Sequence, residues 1–190
     1  MKSYSIILKR ILDIIIVFIL LIPLFLICLI ITLYIYFNDS LPILYISKRV
    51  GLGGKYFKLF KFRTMYNNKV NDNYYTSYND SRITKVGTFL RKYSLDELPQ
   101  FFNVINGSMS LVGPRPDDPR MKSCYSINNF ISRHSTKPGI TGLAQVKGRS
   151  DLTQRQRLKY DLFYNSHCSF GLDFMILKLT FFQLFKGDSF

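Results

Sequence analysis

From Ile14 to Phe37 the chain is almost continuously apolar: only Pro23 and Thr32 interrupt 24 residues, and no charge falls among them. As a helix this run reaches ~36 Å, enough to cross a ~30 Å hydrocarbon core. A cleaved signal peptide fits poorly, because the run is too long and no small-residue cleavage site follows it. Pro23 divides the run into Ile14–Ile22 and Leu24–Phe37, and neither piece is long enough to span alone. An internal proline removes a helical hydrogen bond and clashes with the preceding turn. Two outcomes are therefore open, a kinked spanning helix and a re-entrant hairpin that enters and leaves by one face. Lys2, Lys9 and Arg10 precede the run, and Lys48, Arg49, Lys55 and Lys58 follow it. Both flanks are basic and are drawn to the same, cytoplasmic, side.

Beyond this segment the pattern shortens. Leu41–Ser47 alternates loosely after a turn-like Asn38-Asp39-Ser40 and predicts a strand. Gly51-Leu52-Gly53-Gly54 marks a tight turn, and Lys55–Phe62 alternates lysines with apolar and aromatic residues, so a hairpin is expected. Asn67–Asp80 is polar and reads as a loop. Ile83–Tyr93 and Leu98–Ile105 have apolar spacing near 3.6 and predict short helices. Val112-Gly113-Pro114-Arg115-Pro116 is expected as an irregular loop, and Lys137-Pro138-Gly139-Ile140-Thr141-Gly142 as a second turn. Asp151–Tyr164 reads as a charged amphipathic helix. Phe174–Phe185 is strongly apolar but too short to span, which suits a helix lying in an interface or one in a core.

The expected fold is α+β and mostly helical. A Pro-broken membrane element over residues 1–40 leads into one compact catalytic domain over residues 41–190, with a small β-hairpin and interfacial helices. Charge adds to the picture. Lys plus Arg number 26 against 12 Asp plus Glu, a formal +14, and all but +1 of it lies beyond residue 40. Such a domain suits anionic headgroups and anionic substrates. A nucleic-acid partner is not expected, since no recognised binding motif accompanies the charge. Cys28, Cys124 and Cys168 are isolated, and neither His134 nor His167 sits in a metal-ligand motif, so disulfide and zinc frameworks are not expected. A metal, if used, is a hard cation held by oxygen.

Against this basic background Glu97 is the only glutamate, and it adjoins Asp96. Adjacent carboxylates among cations suit a nucleophile or a metal ligand. A pair at a helix N-terminus favoured by the dipole is the structural alternative. Lys61 and Arg63 lie two apart at a strand end and share a face. Arg91, Arg115 and Arg149 add donors in or near segments fixed by Gly or Pro. Transfer of a phosphoryl group needs such donors and a divalent cation to spread its charge.

Lys61-Phe62-Arg63-Thr64-Met65, Leu95-Asp96-Glu97-Leu98-Pro99-Gln100, Leu111-Val112-Gly113-Pro114-Arg115-Pro116 and Lys137-Pro138-Gly139-Ile140-Thr141-Gly142 resemble, in this order, motifs of the bacterial sugar transferases, the monotopic phosphoglycosyl transferases. Tyr160–Tyr164 and Ser169–Asp173 resemble that family's C-terminal pattern. The resemblance implies transfer of a sugar-1-phosphate from a UDP-sugar to a polyprenol phosphate such as undecaprenyl phosphate, releasing UMP. It implies Asp96 as nucleophile and magnesium ligand, and Glu97 as its partner in proton transfer or positioning. Lys61, Arg63, Arg91 and Arg149 would meet phosphates, and Val112, Gly113, Pro114, Arg115 and Pro116 the nucleotide. Arg10 would meet the lipid phosphate or a headgroup, and Pro23 would mark the re-entrant break, although Ile22 stands where the family usually has Ser. The implied location is the bacterial inner membrane with the catalytic domain on the cytoplasmic face; a homodimer is left open. A glycosyl transferase releasing UDP and a non-catalytic scaffold are the competing readings.

Overall fold

The computed structural model describes residues 6–38, 41–66, 80–148 and 151–186. Helix α1 (Ile6–Asn38) holds the whole apolar run and carries Pro23 inside one helical assignment of 33 residues. It is the one helix among the described residues long and apolar enough to cross a membrane. Strands β1 (Leu44–Val50) and β2 (Tyr56–Phe62) form the expected hairpin, antiparallel from Leu44 opposite Phe62 to Val50 opposite Tyr56. The first strand starts three residues later than the alternation suggested. The turn between them is one of 3-10 helix over Leu52–Gly54, with Gly53 and Gly54 at positive φ. Those φ values explain the glycine cluster.

Helices α2 (Lys85–Lys92) and α3 (Gln100–Ile105) flank the carboxylate pair, as the spacing predicted. Strand β3 (Ser110–Val112) pairs in parallel with β4 (Gly139–Thr141), Ser110 opposite Gly139 and Val112 opposite Thr141. The second Pro/Gly segment, expected as a turn, is therefore partly strand. Gly139 permits this, because a Cβ there would stand 2.1 Å from the Gly113 nitrogen. Helices α4 (Ile127–Arg133) and α5 (Leu143–Gly148) lie in stretches where no element was predicted. Helix α6 (Gln154–His167) starts at a capping box in which Thr153 and Gln156 exchange side-chain bonds with each other's backbone. Its inner face is polar: Asp161, Tyr164 and Asn165 are the buried residues. Helix α7 (Phe170–Lys186) buries Asp173 and Ile176, while Phe170, Phe174, Phe181 and Phe182 are exposed. Most of the Asn67–Asp80 loop, and Arg149, lie outside the described residues.

Two apolar clusters organise the molecule. One gathers Leu59, Val104, Met109, Leu111, Val112, Leu143, Val146, Tyr164 and Ile176 around Val17 of α1. The other gathers Phe62 and Leu90 around Ile31 and Ile35, also of α1. Between these two contact regions Ile22 is 82% exposed and Phe25 66%. Helix α1 thus packs on the body on both sides of Pro23, while Ile22 and Pro23 themselves are exposed.

Polar contacts tie the first arm down. Lys9 pairs with Asp173 at 2.6 Å, and Asp13 accepts from the Ser110 hydroxyl at 2.7 Å and the Leu111 amide at 3.2 Å. Arg10 donates to the carbonyls of Val104 and Ile105 at the end of α3. That arrangement satisfies carbonyls a helix end leaves without partners. Arg10 and Asp13, though three apart, serve different elements.

Candidate active site

Strand β2 presents Lys61 toward the turn of 3-10 helix over Leu95–Glu97. Asn103 of α3 fixes the strand from behind. Its side chain accepts from the Phe60 amide at 3.1 Å and donates to the Lys58 carbonyl at 2.7 Å. Just before the carboxylates, Ser94 is the one described non-glycine residue at positive φ, 53°. A left-handed residue of this kind is costly and is found where a tight turn must aim side chains.

The two carboxylates are not equivalent. Glu97 Oε1 accepts from Lys61 Nζ at 2.7 Å and from Arg115 Nη2 at 2.8 Å. Among the described residues Asp96 has one ion-pair partner, Lys61, 3.5 Å from Oδ2, and accepts no hydrogen bond. Burial pushes the Asp96 carboxyl above the usual range; Lys61 opposes the shift, Glu97 adds to it, and Arg91 and Arg115 oppose it. Burial would do the same to Glu97, but Arg115 and Lys61 outweigh it and hold that group far below its ordinary value. Glu97 is thus a fixed anion that orders two cations. Asp96 is a buried carboxylate that accepts no hydrogen bond from the described residues and is paired only with Lys61 at 3.5 Å, a looser hold that suits an attacking group.

Arg91 projects from the last turn of α2, its Nε donating to the Thr64 hydroxyl at 2.9 Å. Arg115 follows β3 on the rigid loop, and its side chain is exposed beyond the Glu97 contact. The loop's backbone is spent on support. The Gly113 amide donates to Thr141, the Gly139 amide to Pro114, and the Tyr164 hydroxyl to the Val112 carbonyl. Val112, Gly113 and Pro114 are buried, Pro116 half-buried. Beneath them Arg133, 2% exposed, joins Asp117, donates to Asp161 at 2.9 Å, and donates to the Arg115 carbonyl at 3.0 Å.

The structure therefore brings together Lys61, Arg91, Asp96, Glu97 and Arg115. Arg63 is buried and donates to the Leu41 carbonyl at 3.2 Å, in the connection between α1 and β1. The strand ends at Phe62, so the period-two argument that put Lys61 and Arg63 on one face does not carry across. Arg10 lies on the end of α3 near Lys137, the two cations both 3.6 Å from where a Gly107 Cβ would be. Thr64, Asn103 and Arg133 were not singled out from the sequence. Thr64 stood within a quoted motif; Asn103 and Arg133 carry no local signal.

No group of three or more His, Cys, Asp or Glu side chains forms a metal cage among the described residues. The Asp96 carboxylate, which accepts no hydrogen bond from the described residues, fits magnesium, which takes one or two carboxylates and completes its shell with water and substrate phosphates.

Residues 4–187 match the family described as bacterial sugar transferase. The chain belongs to that family. A UDP-glucose:undecaprenyl-phosphate glucose-1-phosphate transferase of Xanthomonas campestris pv. campestris is 47% identical over 151 residues, covering 73% of this chain and 31% of that protein. A protein of the same name from Klebsiella pneumoniae is 40% identical over 195 residues, 98% of this chain and 41% of its own. An undecaprenyl-phosphate galactose phosphotransferase of Salmonella typhimurium is 40% identical over 161 residues, 75% of this chain and 33% of its own. This bacterial sugar transferase thus spans 31–41% of the length of these three relatives.

Proposed function

We propose that the protein transfers a sugar-1-phosphate from a UDP-sugar to undecaprenyl phosphate or a similar polyprenol phosphate. The observation that carries the reading is the asymmetry of the dyad: Glu97 accepts hydrogen bonds from Lys61 and Arg115, while Asp96 beside them has only the 3.5 Å ion pair with Lys61. In the first step an Asp96 oxygen attacks the β-phosphorus of the donor. The bond from that phosphorus to the oxygen bridging to the α-phosphorus breaks, and UMP departs. In the second step a phosphate oxygen of the polyprenol phosphate attacks the same phosphorus. The Asp96–phosphorus bond breaks, leaving a polyprenyl-diphosphate sugar and free Asp96. Two displacements replace one between two anions. Lys61, Arg91 and Arg115 stand where the negative charge must be carried. Magnesium, held by Asp96 and the donor diphosphate, would neutralise part of that charge. Arg115 and Pro116 form the accessible edge of the nucleotide side, with Val112 to Pro114 as its support. Arg149 remains a phosphate contact by resemblance alone.

At the membrane, α1 acts as a hairpin bent at Pro23 rather than a straight span. Both arms pack on one body while the apolar middle is bare, and both flanks are basic. A straight helix of this length would run ~50 Å and carry its ends to opposite sides of a bilayer. The exposed phenylalanines of α7 suit the interface. Arg10 and Lys137, side by side, suit a phosphate of the acceptor or a headgroup, and burial followed by the Arg10 charge holds the Lys137 amine below its ordinary pKa. The catalytic part then faces the cytoplasm at the inner membrane. Single cysteines placed at residues 3 and 47 of a cysteine-free variant are expected to react with a membrane-impermeant maleimide only after cells are opened. Labelling of residue 3 from outside intact spheroplasts would make α1 a true span.

The reaction is tested with detergent-solubilised protein, Mg²⁺, undecaprenyl phosphate and UDP-glucose, UDP-galactose and their N-acetyl forms. UMP from one donor, lost with EDTA and restored by Mg²⁺, is the expected result. Release of UDP would replace the proposal with ordinary glycosyl transfer. Neither nucleotide from any donor would favour a scaffold.

A further inference from the structure

Helix α2 is fastened to the end of β2 at both of its ends, and through the same residue. At its start the Thr84 amide donates to the Thr64 carbonyl at 3.0 Å, and the Thr84 hydroxyl, fully buried, caps the helix by accepting from the Gly87 amide at 2.9 Å. Gly87 presses on the same carbonyl: a Cβ there would lie 2.2 Å from the Thr64 oxygen. At the other end, about two helical turns on, the Thr64 hydroxyl accepts the Nε–H of Arg91 at 2.9 Å. Thr64 is 6% exposed, so water does not compete freely for that bond.

The bond uses the inner nitrogen of the guanidinium. The two terminal amino groups of Arg91 make no hydrogen bond with the described residues, while Asp96 and Asp80 attract the side chain electrostatically and Arg82 repels it. A planar fork held at Nε keeps its outer pair pointing one way, ready for two oxygens of one phosphate. Without the hydroxyl the side chain regains its rotamers and must be ordered again by each substrate.

We propose that Thr64 is a positioning residue of the phosphoryl-transfer site, its hydroxyl fixing the plane of Arg91 so that both terminal amino groups meet the diphosphate of the donor. This rests on the reading of Asp96 as the centre of a sugar-1-phosphate transferase, and goes beyond it by assigning a role to a neutral buried side chain that touches no substrate.

The test compares Thr64→Val, which keeps the shape and loses the acceptor, with Thr64→Ser, which keeps the acceptor. Steady-state UMP release is followed as donor concentration varies, in the wild-type background and with Arg91→Lys. Thr64→Val is expected to lower kcat/KM for the donor about 10- to 100-fold, the scale of a misplaced contact group. The KM of the polyprenol phosphate is expected to stay as it was, and Thr64→Ser to remain near wild type. With Arg91→Lys, which has no Nε–H to hold, Thr64→Val is expected to add little further loss. A folding defect would multiply the loss in both backgrounds alike, so the comparison decides even where Thr64→Val melts earlier. Wild-type kinetics in Thr64→Val, or an equal penalty in both backgrounds, would overturn the proposal while leaving the reaction intact. A wild-type protein that releases no UMP would remove the reaction and the proposal together.

Discussion

Asp96→Asn is expected to abolish UMP release and leave the protein folded and in the membrane fraction. Asparagine has the volume of aspartate but offers phosphorus no competent nucleophile. The loss should reach at least ~10³-fold, since removing the proposed nucleophile leaves only what binding and charge stabilisation supply. The fold should tolerate the change, because Asp96 accepts no hydrogen bond from the described residues and its charge is opposed by burial. Lys61 keeps its 2.7 Å bond to Glu97, so the cations stay in place. The measurement pairs nucleotide release with membrane fractionation and a melting curve. Turnover within a few-fold of wild type would end the role of Asp96 as nucleophile. A protein lost from the membrane would show that Asp96 is structural instead.

Arg133→Met is expected to be the most damaging change to stability. Arg133 is 2% exposed and lies between Asp117 and Asp161, itself 1% exposed. Removing the cation leaves Asp161 buried without its ion-pair partner, while Asp117 keeps His134 at 3.4 Å; a broken buried pair costs about 3–5 kcal/mol. In a domain of this size the melting midpoint falls by roughly 10 °C. The same change frees the Arg115 carbonyl, now held at 3.0 Å, so UMP release should also decline. The physical cause can be separated from lost volume by adding Asp161→Leu. Replacing an ion pair with apolar groups is often neutral. The double variant should therefore melt above Arg133→Met alone. A single variant that melts like wild type would show the network contributes nothing.

Periodicity reached those parts of the fold whose pattern is local. The β1–β2 hairpin, α2, α3 and the charged helix α6 all follow from alternation or 3.6 spacing within a few residues. Strand β4 did not, since three residues around Gly139 become strand only because β3 lies beside them. Helices α4 and α5 were not predicted: α5 follows directly on the Pro/Gly segment that ends at Gly142, and α4 is a seven-residue stretch with a mostly polar sequence. In the candidate site, the residues brought together were legible for different reasons: Lys61 by its place at a strand end, Asp96 and Glu97 as adjacent carboxylates in a basic chain, and Arg115 by its Gly- and Pro-fixed loop. Their supports were hidden by separation along the chain: Thr64 meets Arg91 across 27 residues, Asn103 meets Lys58 across 45, and Arg133 meets Asp161 across 28. Arg63 shows the opposite failing, in that strand alternation was extended one residue past the strand.

Helix α1 contributes Val17, Ile31 and Ile35 to the two apolar clusters, and Asp13 to the backbone of β3. Its inward side is therefore a wall of the body that carries the candidate site. A water-soluble fragment begun after residue 40 would bare Leu59, Val104, Phe62 and Leu90 and strand the Ser110 hydroxyl. Severing the protein from its lipid is then not a neutral purification step. A stand-alone catalyst would need a substitute helix, apolar toward the body and polar outward, with a carboxylate opposite Ser110.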